Sequence, residues 1–182
     1  VQWHFLWVLK FVRLDSVWII RQYLWHASGL HVQWHFLWLL KSDRLDSSGL
    51  FGNISGAPAA SMFASTFYGC SNLSGSIPSG LFGNISGTPA AYMFSGTFYG
   101  CSNLSGSIPS GLFGDISGAP ADWMFHSTFR NCSKLTGESA LMPDGTTHLY
   151  EQFPTASGTD CYQCYNGAAG LNDYATMPSA WK

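Results

Sequence analysis

"TFYGCSNLSGSIP" occupies residues 66–78 and returns letter for letter at residues 97–109. A third version, "TFRNCSKLTGES" at residues 128–139, keeps Phe129, Cys132 and Leu135. The surrounding text repeats too: Gly49, Gly80 and Gly111 are 31 residues apart, as are Cys70, Cys101 and Cys132. A period of this length means a repeat array in which each supersecondary unit stacks on the next. One unit alone buries too little, because side chains worth roughly 1.5–3 kcal/mol each when buried must offset ordering at about 1–2 kcal/mol per residue. Its neighbours have to cover its faces.

Within a unit the local signals divide the work. In "GAPAASMFASTF", Pro58 stands where a helix accepts proline in its first turn, and Ala59, Met62, Phe63 and Phe67 form an apolar stripe. This spacing predicts a short helix over residues 58–67. Cys70, Leu73 and Ile77 then predict one short strand, closed by Pro78, which has no N–H for a ladder. The remaining "SGLFGNISG" reads as turn chemistry anchored by Leu81, Phe82 and Ile85. The structural positions of the array are therefore Phe67, Cys70, Leu73 and Ile77 in one copy, Phe98, Cys101, Leu104 and Ile108 in the next, and Phe129, Cys132 and Leu135 in the third.

The F-x-x-C-x-x-L…I-P spacing of these residues resembles the repeat of BspA-like bacterial leucine-rich-repeat surface proteins. "NLSGSIP" is also similar to a stretch of plant-type leucine-rich repeats, although a 31-residue unit is longer than theirs. The resemblance covers residues 48–135. It implies a leucine-rich-repeat-like α/β solenoid, with one short strand and one short helix per unit, on a cell surface and used for adhesion or protein–protein binding.

The first 47 residues look different and contain six of the eight Trp. Yet "VQWHFLW" occurs at Val1 and again at Val32, which is the same 31-residue period. Encoded as GTT CAG TGG CAC TTT CTA TGG and read one base later, it becomes "FSGTFYG", the string at residues 94–100. Permitted codons extend the match through Ser47, in phase with Cys70. Residues 1–47 are therefore expected to be an out-of-frame translation of repeat DNA and not a native domain. On that reading His4, His26, His31 and His35 are not ligands. The alternative is a genuine aromatic segment that contacts a membrane surface or a carbohydrate. A continuous membrane span is not expected, since Lys10, Arg13, Asp15 and Arg21 interrupt the apolar run.

Residues 48–145 hold the three explicit repeats, and residues 146–182 read as a degenerate repeat or cap, with Cys164 near the repeat-cysteine position and Met177-Pro178 closing the unit. The repeat cysteines read as a column of small buried hydrophobes. Cys161 and Cys164 form a lone C-x-x-C, read as free or structural thiols, with a disulfide between them as the alternative. A metal or redox role is the weakest reading, because no second pair accompanies them. Asp122, Glu138 and Asp144 show no paired arrangement, His126 reads as a helix-surface residue, His148 lies in the loop-like "DGTTHLY", and Pro143-Asp144-Gly145 has the form of a turn. No nucleophile elbow, phosphate loop or H-E-x-x-H occurs. Asn53, Asn72, Asn84, Asn103 and Asn131 each open N-x-Ser, but they recur with the repeat and matter only in a secreted eukaryotic protein.

Charge narrows the partners. Charged residues make up 10% of the chain and the formal net charge is −2, so no basic stripe exists for nucleic acid. With no leader legible, the chain reads as a fragment of a larger cell-surface or extracellular protein. It is expected to be non-catalytic and to need no cofactor, with an unidentified protein or surface glycan as partner. The rival expectation is a structural stalk or spacer.

Overall fold

The computed structural model describes residues 55–182 and two earlier strands, β1 (Val8–Leu14) and β2 (Val17–Tyr23). β1 and β2 pair antiparallel, with Val8 opposite Tyr23 and Leu14 opposite Val17. His4, His26, His31, His35 and Asn53 lie outside the described residues. Among the described residues no helix is long and apolar enough to cross a membrane.

From Ser55 onward each unit contributes a short strand: β3 (Ser55–Gly56), β4 (Asn84–Gly87) and β5 (Asp115–Ile116). They form one parallel sheet in the order β3-β4-β5, with Ser55 opposite Asn84 and Ser86 opposite Asp115. The ladder thus falls in "NISG", a stretch whose sequence suggests turns. The segment expected to be the strand, residues 70–77, supplies only single parallel bridges: Gly75 with Leu104, Gly106 with Leu135 and Gly137 with Leu171. A glycine every unit at this point weakens a continuous strand. Its Leu and Ile side chains still point inward, with Leu73, Ile77, Leu104 and Ile108 at most 5% exposed.

The segment expected to be helical is a run of turns. In an α-helix every N–H reaches the carbonyl four residues back. Here the even residues Met62, Ala64, Thr66, Tyr68 and Cys70 donate to carbonyls three residues back, while the odd residues Ser61, Phe63, Ser65, Phe67 and Gly69 donate to Ala91, Met93, Ser95, Thr97 and Tyr99 of the next unit. Half of the N–H groups therefore leave the segment and stitch the units together. Every fourth residue has positive φ: Ser61, Ser65 and Gly69, then Tyr92, Gly96 and Gly100, then Trp123, Ser127 and Asn131. That conformation is incompatible with a right-handed helix. Ser, Thr, Phe and Tyr, which make up most of the run, are weak helix formers and offer the turns little opposition.

Each run closes on itself every four residues, which places Met62-Phe63 and Thr66-Phe67 inside and Ala64-Ser65 and Tyr68-Gly69 outward. The inward rings form columns through the units. Phe63, Phe94 and Phe125 follow one another at 5.4 and 5.7 Å, and Phe67, Phe98, Phe129 and Tyr165 at 5.2, 5.3 and 5.5 Å, all nearly parallel. Phe82 and Phe113 fill the space opposite. The buried Thr97 hydroxyl lies 2.7 Å from the Phe94 carbonyl and 2.9 Å from that of Phe63, and Thr128 repeats the arrangement one unit on. Polar atoms inside the stack are thus satisfied by the neighbouring unit.

The last unit is longer: Tyr165 takes the place of Phe129, and Leu171 that of Leu135. Carried back along the same register, Cys161 stands where Phe125 does and Cys164 where Thr128 does. The repeat-cysteine position falls to the fully buried Ala168, not to Cys164 as the sequence suggests. The extra residues lie before Tyr165, in α1 (Leu149–Gln152), α2 (Gly158–Cys161) and a hairpin. In that hairpin Met142 donates to Thr147, Leu149 donates to Ala140, and the Gly145 N–H closes the Pro143-Asp144-Gly145 turn on Met142. A division at 145/146 would cut through it. The Thr147 hydroxyl, with the N–H groups of Thr146 and Thr147, holds the Asp144 carboxyl down at about 2. A 3-10 turn (Ser179–Trp181) ends the described chain. Its Trp181 carbonyl accepts the Tyr165 N–H, and the Trp181 ring lies 6.0 Å from Phe125.

Candidate binding surface

The outward corners of the turn runs line up from unit to unit. Tyr68 and Tyr99 stack at 4.5 Å with planes 4° apart, and the Arg130 guanidinium lies 5.5 Å from the Tyr99 ring centre. Arg130 also donates to the Gln163 side-chain oxygen. A second row is formed by Tyr92 and Trp123, parallel at 6.2 Å. His126 meets Trp123 edge-on at 4.7 Å and Tyr162 face-on at 5.9 Å. Tyr68, Tyr92 and Tyr162 are each about half exposed, the only large hydrophobic side chains so exposed among the described residues. Burial first, and the nearby Arg130 charge second, lower the His126 pKa, which favours its neutral ring. The face is aromatic, with one cation at its Arg130 end.

Copy-to-copy differences gather here. The first two units differ at Ala57/Thr88, Ser61/Tyr92, Ala64/Ser95 and Ser65/Gly96. Three of these four positions are on the turn run, in or beside its outward corners. The third unit places Trp123, His126 and Ser127 at the same three positions and Arg130 where the others have Tyr. The inward Met, Phe and Thr positions of the run do not change over the three units. The aromatic rows are not apparent from sequence, because Ser61, Tyr92 and Trp123 share a corner only once units stack. The differences themselves were the available signal.

The array positions Phe67, Cys70, Leu73, Ile77, Phe98, Cys101, Leu104, Ile108, Phe129, Cys132 and Leu135 are all buried in one core. The thiols are part of it: Cys101 donates to the Phe67 carbonyl at 3.1 Å and Cys132 to that of Phe98 at 3.0 Å. Burial pushes the Cys132 thiol up to about 12 and raises Cys70, Cys101 and Cys164 as well. Cys161 and Cys164 are free thiols and no disulfide joins them. Cys161 is directed at the Ser157 and Ala180 carbonyls while Cys164 engages Thr128 and Phe129, so the pair faces different neighbours. Burial disfavours the thiolate, the form that redox and metal chemistry use.

No family model matches this chain, and comparisons with curated proteins and with solved structures likewise find no match.

Proposed function

We propose that the chain forms a non-catalytic, leucine-rich-repeat-like solenoid displayed at a cell surface, and that it binds a protein or a surface glycan through the outward corners of its turn runs. The observation that carries this reading is the placement of the unit-to-unit differences. Between the first two units three of the four differences fall on one outward row, and a recognition surface is built by such variation on a rigid frame. Tyr, Trp and Arg are also the side chains that dominate interface energetics. The buried thiols and the lack of any recognisable nucleophile motif support binding over catalysis.

The stalk reading draws on how few those differences are: the first two units differ at four positions, so most of their surface is the same. The two readings separate by experiment. The purified chain is applied to a glycan array and to a panel of immobilised extracellular-matrix proteins, beside the variant Tyr92→Ser/Trp123→Ser/His126→Ala. Retention by a defined probe that falls at least tenfold in the variant is the expected result. Retention unaffected by the triple change, or no retention by any probe, favours the stalk.

A further inference from the structure

Three side chains that are far apart in sequence converge at the junction of the last two units. Glu138 follows the bridge glycine Gly137, His148 precedes α1, and Asp173 lies two residues past Leu171. His148 Nδ1 is 3.4 Å from Asp173 Oδ2, and His148 Nε2 is 3.9 Å from Glu138 Oε2. One donor atom from each of the three lies within 4.8 Å of the other two. The surroundings fix the group in place. Ser139 donates its N–H to Asp173 Oδ1 at 3.0 Å and its hydroxyl to Oδ2 at 2.6 Å, while Asn172 donates to Glu138 Oε1 at 2.9 Å. The His148 ring stacks on Tyr150 at 4.8 Å, with planes 9° apart.

This arrangement is not a hydrolytic triad. Ser139 is fully buried; its hydroxyl lies 3.1 Å from His148 Nδ1 but donates its proton to the Asp173 carboxylate at 2.6 Å, so no nucleophile is prepared. It is a pocket short of positive charge. Asp173 is 9% exposed, and its ion pairing among the described residues is with His148 alone. No Lys or Arg pairs with Glu138 there either. Two carboxylates, one of them buried, thus face one imidazole with no Lys or Arg beside them among the described residues, an arrangement that is costly unless a cation joins it. One imidazole nitrogen with two carboxylate oxygens suits a first-row divalent ion. A separation of 3.4 Å is about that of two ligand atoms each roughly 2.1 Å from a tetrahedral centre. Outer hydrogen bonds like those from Ser139 and Asn172 are what orients such ligands. Glu138, with its side chain 44% exposed, leaves an entry path and room for water.

We propose that Glu138, His148 and Asp173 form a divalent-cation site of the Zn²⁺ or Mn²⁺ class that clamps the last unit to the one before it. The observation is independent of the proposed binding face. The full chain, stripped with chelator, is titrated with MnCl₂ and separately with ZnCl₂ at pH 7.5 and followed by calorimetry and thermal melting. The expected result is saturable uptake of one ion per chain and a melting temperature raised by several degrees. His148→Gln is expected to abolish uptake. Glu138→Gln, at a half-exposed position that leaves the fold intact by circular dichroism, is expected to weaken affinity at least tenfold, and Ser139→Ala by about 10–100-fold. Absence of saturable uptake, or uptake unchanged in Glu138→Gln and His148→Gln, overturns the proposal. So does Zn²⁺ uptake that is lost on thiol alkylation while Mn²⁺ fails to bind, which would place the metal on the cysteines.

Discussion

Leu104 shows what a single inward residue is worth. It is fully buried in the central unit, with a leucine before it at Leu73 and after it at Leu135. Leu104→Ala is expected to cost about 2–5 kcal/mol, since the stack on either side cannot collapse into the gap. Its neighbour Asn103 donates to the Ser71 carbonyl at 2.8 Å and accepts from Lys134 at 2.6 Å on the exposed side. Asn103→Ala is expected to cost only about 0.5–1.5 kcal/mol. Urea unfolding with matched m-values measures both, and equal midpoints would remove Leu104 from the core. The thiols allow a second test. Cys161 and Cys164 are fully buried, and Cys70, at 8% exposed, is the most accessible of the five. Native alkylation followed by peptide mass spectrometry is expected to modify Cys70 first. Preferential labelling of Cys161 would contradict the burial of the last unit.

At the scale of elements, the turn run and the short parallel ladder depend on close backbone approach. A Cβ on Gly114, where φ is +75°, would come 2.1 Å from the Ile85 carbonyl oxygen of the preceding unit. Gly69, with a similar φ of +73°, has nothing within 4 Å of the same position. Gly69→Ala is thus expected to cost only the left-handed backbone penalty, about 1–2 kcal/mol. Gly114→Ala must also push β4 and β5 apart and is expected to cost clearly more. Thermal melts of the two variants decide it, and equal losses would mean that the units are not in this register. The helix expected over residues 58–67 failed for a specific reason. A four-residue turn repeat and a 3.6-residue helix place nearly the same side chains inward over ten residues, so Ala59, Met62, Phe63 and Phe67 fit both. What separates them is where the odd-numbered N–H groups go, and in this chain they go to another unit.

For the molecule as a whole, the 31-residue period of the opening 47 residues carries its own test. Translation of the coding DNA from one base later across residues 1–47 is expected to yield "SGTFYGCSN" twice, at the hidden positions in phase with Cys70. Any other peptide in that frame sinks the slip and leaves the Trp-rich lead as a genuine segment. Period, inward columns and the weakly charged surface could all be read from the chain letter by letter, because each unit repeats the same apolar positions. Three features needed the assembled stack. The ladder in "NISG" exists because a neighbouring unit supplies its partners. The Tyr92–Trp123 and Tyr68–Tyr99 rows exist because equivalent corners superpose. Glu138, His148 and Asp173 meet because the Gly137–Leu171 and Leu141–His148 bridges bring their three segments together. Apolar periodicity is a property of one strand of text, whereas the hydrogen bonds that choose turn over helix run between units, and only packing brings those units together.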